Sequence, residues 1–384
     1  MRAPDGDAGC ALIYLDWNAT TPPLAAVIDA MSRAARDAWG NPASVHAFGR
    51  AARMEVEGAR EAVARLAGCD PRSVVLTSGG TEANNLALRG AFASDAHRGR
   101  VLVTSRLEHP SVARVAEALE REGRARVRWV RVRAEGTIDL DDLARACRDG
   151  DVRLVAVQAV NSETGVVQPV REAIALAKGA GAWVHVDAVQ AFGRTAEVAE
   201  EADTRSLAAH KIRGPKSIGA LVVRPGVALA PVLLGGSQER GLRPGTVDPV
   251  AAAGLMVAAG HALTSPARWN ASAPLRDALE AGLLRLAPNA RVNGAGAPRA
   301  PHVTSIAFPG WEAAELVAAL DLEGVAASGG SACSAGTAEA SSVLAAMGDD
   351  EAASCSVRFS LGEETTMSDV EGALAAAARV LARG

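Results

Sequence analysis

From about residue 25 to 235 short β-rich runs take turns with helical segments, and that alternation leaves few folds open. Strands spaced by helices pair into a mostly parallel sheet with helices laid on its faces. The runs "SVVLTS", "RVLVTS", "RVRWVRV", "RLVAVQAV", "AWVHVDAV" and "IGALVVR" are rich in β-formers, and each is bounded by turn or cap residues. Between them, "ARMEVEGAREAVARLAG" has the helical period and stops at Gly68, and "TEANNLALRGAF" reads as the helix after the first run. An alanine-rich helical segment near 248–265 then leads into a different kind of chain. There strands ("HVTSIAFPG", "VRFSL") mix with helices ("EAAELVAAL", "MSDVEGALAAAARVLARG"). The expected architecture is a large α/β domain followed by a smaller α+β domain, with no internal repeat.

A chain of 384 residues is long enough for both. Its net charge of −4 is small, so nothing points to a nucleic-acid partner. No run of about 18 apolar residues argues for a membrane span. The start, "MRAPDGDAGCALIYLD", carries acids where a signal peptide needs an apolar core, so a cytoplasmic location is expected. Five cysteines (Cys10, Cys69, Cys147, Cys333, Cys355) form no CxxC pair and fit neither a disulfide framework nor a zinc site. Each is a buried small hydrophobe or a working thiol.

In open α/β sheets ligands bind beyond the carboxyl ends of the strands, so the residues that follow each run carry the functional reading. After "VVLTS" comes "GGTEANN": Gly79, Gly80 and Thr81 make either a turn with a helix cap or a phosphate seat at a helix start. It is not a Walker motif, because no Lys-Ser/Thr follows. After "WVHVD" stands Asp187, a half-buried acid that needs an arginine or a protonated ring nitrogen, with Gln190 a turn later. Asn161 in "NSETG" is a turn residue or a ligand, and His109 in "EHPS" a loop histidine or a flat ring against a flat ligand. Only three lysines occur, Lys178, Lys211 and Lys216, and two of them share "AAHKIRGPKSIGAL". A Schiff base requires an amine that arginine cannot supply. Together these positions make a phosphate cradle, a stacking ring, a ring-nitrogen acid and an amine, each with a natural job around pyridoxal 5'-phosphate (PLP).

The motifs "YLDWNATTPP", "GNPASVHAFGR", "TSGGTEANNLAL", "EHPSV", "NSETGVVQ", "HVDAVQAFG", "AHKIRGPKSIGALVVR", "QERGLRPGT", "GGSACSAGT" and "VRFSLG" run in colinear order nearly end to end. In them the chain resembles the cysteine desulfurases, in the class V aminotransferase branch of PLP fold-type I enzymes. The resemblance implies a large PLP-binding domain over 16–255 with a mostly parallel seven-stranded sheet. It also implies a small α+β domain made of 1–15 and 256–384. By the same resemblance Lys211 forms the Schiff base with PLP, and Gly80, Thr81 and His210 contact its phosphate, joined by Thr246 of the partner subunit in a homodimer. Asp187 pairs with the pyridine nitrogen, Gln190 and Asn161 with the ring oxygen, and His109 stacks on the ring. Arg358, helped by Asn161, takes the substrate carboxylate through its bidentate fork. Lys211 and His109 move protons, and Cys333 in "SGGSACSAGTAEAS" takes the sulfur of L-cysteine as a persulfide, releasing L-alanine. The sulfur then passes to an acceptor protein, an iron–sulfur scaffold or a thiolation protein. No intrinsic metal is implied; a transferred iron–sulfur cluster is the one metal species for which Cys333 is a candidate ligand.

Four positions depart from the family pattern. Ala208 replaces a serine or threonine that contacts phosphate, a loss of about 1.5–3 kcal/mol for one charge-assisted hydrogen bond if nothing compensates. Pro244 stiffens "RPGT", Gly330 follows Gly329 where Ser-Gly is common, and Trp17 enlarges its position in "LDWNATT". Two other readings stand beside the desulfurase. One is a selenocysteine lyase or other class V lyase or transaminase, and the other is a non-catalytic scaffold member.

Overall fold

The valine-rich runs form strands with no face left for water. Val74–Thr77, Val101–Ser105, Thr204–Ala208 and Gly219–Val223 are buried at every position. Such strands need cover on both sides. Along each, successive side chains enter opposite cores: Val74 and Leu76 join one apolar cluster and Val75 the other, as do Val101 and Val103 against Leu102. The computed structural model that shows this describes residues 12–96, 99–195, 199–330 and 340–383.

Seven strands make one sheet. Val74–Thr77 lies at one edge, followed by Gly219–Val223, Thr204–Ala208, Trp183–Asp187, Val152–Gln158, Val101–Ser105 and, at the other edge, Arg126–Val130. Gly219–Val223 alone runs antiparallel to its neighbours. The Arg126–Val130 strand presents alternating exposed residues, with Arg126 and Arg128 on its open edge, charges that discourage pairing with another sheet. Gln158 pairs with Asp187, and Asp187 with Ser206, so the carboxyl ends of the central strands are level and their loops emerge together.

Helix Ala47–Ala67 starts where the His46 side chain accepts from Gly49 N–H and ends at Gly68, whose φ of 63° is the left-handed cap geometry that glycine takes without strain. It packs on Pro249–Ala262, the alanine-rich segment, which starts where the Asp248 side chain accepts from Val250 N–H. Alanine on both helices keeps that contact close. Among the described residues no single helix is long and apolar enough to cross a membrane.

A second sheet of four strands has the order Ser328–Gly329, Ser356–Ser360, Val303–Ala307, Arg291–Val292, all antiparallel. Its apolar side, with Ile306, Val357 and Phe359, forms a separate core with Leu279, Leu316 and Val370 of the surrounding helices. The amino-terminal strand Ile13–Tyr14 pairs with Val325–Ala326 beside this sheet, and Asp16 bridges to Ser360. The chain thus passes Asp16, Trp17 and Asn18 from the second sheet toward the carboxyl ends of the first.

The strand Thr204–Ala208 is absent from the six runs read in the large part of the sequence. "TRSLA" carries Thr204, Arg205 and Ser206, all buried. Arg205 is satisfied by the carbonyl of Ala67 at 2.9 Å, and Ser206 by Asp187 at 3.2 Å. Tertiary partners thus override a weak local signal.

Candidate active site

The loops beyond the strand ends enclose a cavity of about 330 Å³. Of the residues singled out in the sequence, Gly80, Thr81, His109, Asp187, Gln190, His210, Lys211 and Arg358 all stand on its wall.

At one end the helix Gly80–Ala93 begins with Gly79 as N-cap, at φ 149°, and no side chain caps it. Its first N–H groups are left for a ligand, which makes the turn a ready anion seat. A Cβ at Gly80 would lie 2.6 Å from Val189, so glycine is required for this approach. Burial, with Lys211, Arg194 and Lys216 adding to it, pushes the His210 imidazole down to about 4, which leaves a neutral ring beside the seat. Ala208 is also on the wall, without a hydroxyl to offer.

Asp187 is fixed by three donors. Its Oδ1 accepts from Val189 N–H at 3.0 Å and Ser206 Oγ at 3.2 Å, and its Oδ2 from Asn84 Nδ2 at 2.8 Å. Asn84 also donates to Ser111 Oγ at 2.8 Å, which leaves the Ser111 proton for His109 Nδ1 at 2.7 Å. His109 Nδ1 further accepts from Ser111 N–H at 3.1 Å as the N-cap of Pro110–Arg121. With both donors on Nδ1, the hydrogen-bond partners assign the ring proton to Nε2. On its far side Asn84 Oδ1 faces His185 Nε2 at 2.9 Å, and burial pushes His185 down to about 4, so it stays neutral.

Lys211 ends the turn Ala209–Lys211 after the strand Thr204–Ala208. Its Nζ donates to the carbonyls of Asn18 and, at 2.9 Å, Ala19. The backbone carbonyl of Lys211 is held from below by Arg194, through Nη2 at 2.9 Å and Nε at 3.1 Å. At the opposite end Arg358, buried on the strand Ser356–Ser360, donates Nη1 to Ser162 O at 3.0 Å and pairs Nη2 with Asp16 at 2.6 Å.

A phosphorylated pyridine aldehyde needs an anion seat, an acceptor for its ring N–H, a flat neighbour and an amine. The glycine cradle that a Cβ would fill, the fixed Asp187 carboxylate, His109 and Lys211 fit PLP in kind and in one cavity.

Asn161 stands between Val160 and Ser162, which are both on the wall. Its Oδ1 accepts from Glu163 N–H and Thr164 N–H, both at 2.9 Å, and its Nδ2 donates to Leu107 O at 3.1 Å. The amide locks the "NSETG" turn. Thr246 is exposed and not among the residues of its own chain's cavity wall. Cys333 lies outside the described residues, although Gly330 before it and Ser342 after it are on the wall. Trp17 does not intrude: its ring fills the space over Gly362, where any Cβ would overlap it, and its Nε1 donates to Tyr14 O at 3.1 Å.

Sequence reasoning missed Asn18, Asn84, Glu163 and Arg194. Glu108 and Glu163 are carboxyls buried in the wall. Burial, with Asp187 nearby, holds Glu108 well above the ordinary range, and burial pushes Glu163 up to about 7 against the pull of Ser341, Arg358 and His109. A carboxyl raised on folding adds stability that is complete below its unfolded value and lost as pH climbs through the folded one. Moving Glu163 from 4.5 to about 7 therefore costs about 3 kcal/mol of stability at pH 8. Glu163→Gln is expected to raise Tm over the parent at pH 8 and to lose that advantage near pH 4.5. Equal differences at both pH values in thermal melts would contradict the burial argument.

Residues 13–372 match the family described as aminotransferase class V. "Cysteine desulfurase 2" of Trichormus variabilis is 40% identical over 367 residues, spanning 95% of this chain and 92% of that one. Among solved structures, a NifS-like protein superposes with a TM-score of 0.89 at 32% identity, covering 97% of this chain and all (100%) of that one. "SspA in complex with cysteine" gives a TM-score of 0.80 at 30% identity, covering 92% of this chain and 99% of that one. The chain belongs to the class-V aminotransferase family, within the PLP-dependent branch whose curated members are cysteine desulfurases.

Proposed function

We propose that the chain converts L-cysteine to L-alanine with PLP and collects the sulfur on Cys333. One observation carries this reading: Lys211, Asp187, His109 and Arg358 converge on one cavity whose wall also includes the residues flanking the cysteine segment.

Bound in this cavity, PLP supplies an electron sink for charge developing at the substrate Cα. The first turn of Gly80–Ala93 and His210 would hold its phosphate, Asp187 its protonated ring nitrogen and Gln190 its ring oxygen, with His109 as the flat neighbour of the ring. Arg358 receives the substrate carboxylate, its plane set by Asp16 and Ser162 O. Lys211, with His109, would move protons in the reaction, Lys211 at the substrate Cα. The Cys333 thiolate then attacks the substrate sulfur. An S–S bond forms, the substrate C–S bond breaks, and the carbon left behind takes a proton to become the methyl group of alanine. The persulfide passes to an acceptor protein, an iron–sulfur scaffold or a thiolation protein, in the cytoplasm.

The working unit is a homodimer. The exposed rings of Trp39 and Phe48 stack at 5.0 Å into an apolar patch, and Val45, 83% exposed, and Met54, 70% exposed, are further exposed apolar side chains. A patch of this kind needs a partner, and the exposed Thr246 is free to serve the neighbouring cavity. Sedimentation at micromolar concentration is expected to show a dimer, and Phe48→Glu to shift it toward monomer with weakened PLP retention. A fully active monomer would remove this part of the reading.

The deciding experiment supplies the purified protein with PLP and L-cysteine, without reductant, and measures alanine together with protein-bound sulfane sulfur. One alanine per persulfide in the first turnover supports the desulfurase. Free sulfide with no persulfide, or no alanine at all, contradicts it.

A further inference from the structure

The mechanism above leaves two carboxyls of the wall idle, Glu108 and Glu163, and of these Glu163 is the one beside Arg358, where the substrate carboxylate docks. Glu163 follows Ser162, whose carbonyl accepts from Arg358, and it stands on the same wall. Its Oε2 accepts from Ser341 Oγ at 2.6 Å, and a Cβ at Gly330 would come within 3.0 Å of that oxygen. The carboxyl is therefore fixed in place. Among the described residues it forms no ion pair, and Ser341 is the only side chain that donates to it.

We propose that Glu163 is a further acid–base residue of the substrate subsite, the carboxylate that takes a proton from the α-ammonium of L-cysteine as the substrate carboxylate docks on Arg358. The inference rests on the desulfurase reading and adds a residue to it. Cysteine arrives as a zwitterion, and its nitrogen has no lone pair until a proton leaves. Carboxylate and ammonium share one carbon, so a base next to the carboxylate's receptor is next to the ammonium as well. In the step an N–H bond breaks, its electron pair stays on nitrogen, and an O–H bond forms on Glu163. Alanine leaves as a zwitterion by the reverse transfer, so the ammonium proton is returned within the cycle. Once neutral, Glu163 also stops competing with the substrate carboxylate for Arg358.

The charged and titratable groups that face Glu163 are Arg358, from the strand Ser356–Ser360, and His109, from the cap of Pro110–Arg121. Burial outweighs both and the Ser341 hydrogen bond, placing the carboxyl at about 7. A base of that strength is half ionised near neutral pH, and it holds a proton better than an exposed glutamate would.

Two readouts on the holoenzyme test this. In the wild type kcat/KM for L-cysteine is expected to rise with pH through about 7. Glu163→Gln should lose that limb and fall by roughly 10²-fold at pH 8, while Glu163→Asp keeps the limb. Ser341→Ala removes a donor that favours the ionised form, so the limb should move up by about one pH unit. The second readout needs no turnover: the dissociation constant of L-alanine, followed through the visible band across pH. In the wild type binding should tighten as pH rises through about 7, and Glu163→Gln should lose that dependence. An acid limb that persists in Glu163→Gln, in either readout, overturns the proposal. A wild type that makes no alanine from L-cysteine would instead sink the desulfurase reading.

Discussion

Lys211→Ala is expected to lower L-cysteine turnover by about 10³-fold without unfolding the chain. Arg194 holds the backbone carbonyl of Lys211, not its side chain, so the turn Ala209–Lys211 survives truncation. The side chain is part-buried and donates to the carbonyls of Asn18 and Ala19. Water can replace those bonds in a cavity of this size. What water cannot replace is a nucleophilic amine beside the cofactor. Lys211→Arg keeps the charge and is expected to fail equally, because guanidinium does not surrender its proton. Borohydride treatment followed by mass spectrometry checks this directly: wild type should retain PLP on the peptide containing Lys211 and neither variant should. Cys333→Ala makes the complementary case. It should keep the covalent cofactor and its visible band while persulfide and sulfide fall to background. Turnover that survives Cys333→Ala would move the chain to the lyase reading, where sulfur leaves without a protein thiol.

The sequence made the strands, helices and most of the cavity legible for a physical reason. Buried parallel strands are apolar throughout, so "VVLT" and "VLVTS" announce themselves, and the polar residue that ends such a run is conspicuous. Asp187 was visible in this way, and Lys211 as one of only three lysines in the chain. "TRSLA" was not, because its polar side chains are satisfied by Ala67 O and Asp187, partners far away in sequence. The same cause hid the supporting residues. Asn84 reads as one more polar residue in a helix start, yet it joins Ser111, Asp187 and His185. Glu163 reads as part of a turn, and only the fold buries it against Ser341. Asn161 shows a second duty that the sequence did not reveal: its amide also holds its own loop. Roles that follow from a residue's position at a strand end were readable; roles that follow from burial were not.

Arg194 carries the largest structural expectation. After "QAFG" it looks like an ordinary loop arginine, but it is 0% exposed. Its guanidinium donates to Asn18 Oδ1 at 2.7 Å, Trp17 O at 3.0 Å, Lys211 O and Gln190 Oε1, and sits 4.6 Å over the ring of Trp269. No carboxylate bonds to it among the described residues. Burial first, and then the nearby Arg358 charge, push it down to about 9, partly offset by Glu363, so it remains a cation at neutral pH. Neutral carbonyl and amide oxygens therefore balance a buried charge, and they belong to the segments that present Lys211, Gln190 and Asn18 to the cavity. Arg194→Met leaves several of these acceptors without donors, at about 1–3 kcal/mol each. Relief from burying an unpaired charge returns part of this, for a net loss of about 3 kcal/mol. A structural loss alone would lower Tm and leave the surviving holoenzyme normal. Because Arg194 grips Lys211 and Gln190, the variant should also bind PLP more weakly and show a lower kcat at an unchanged KM for L-cysteine, since Arg358 is untouched. Arg194→Lys supplies three donors and the charge, and should recover part of each loss. Thermal melts with and without PLP, set beside kcat and KM for both variants, make the check. A methionine variant with wild-type kcat once saturated with PLP would mean that Arg194 holds the fold together and does not position the lysine.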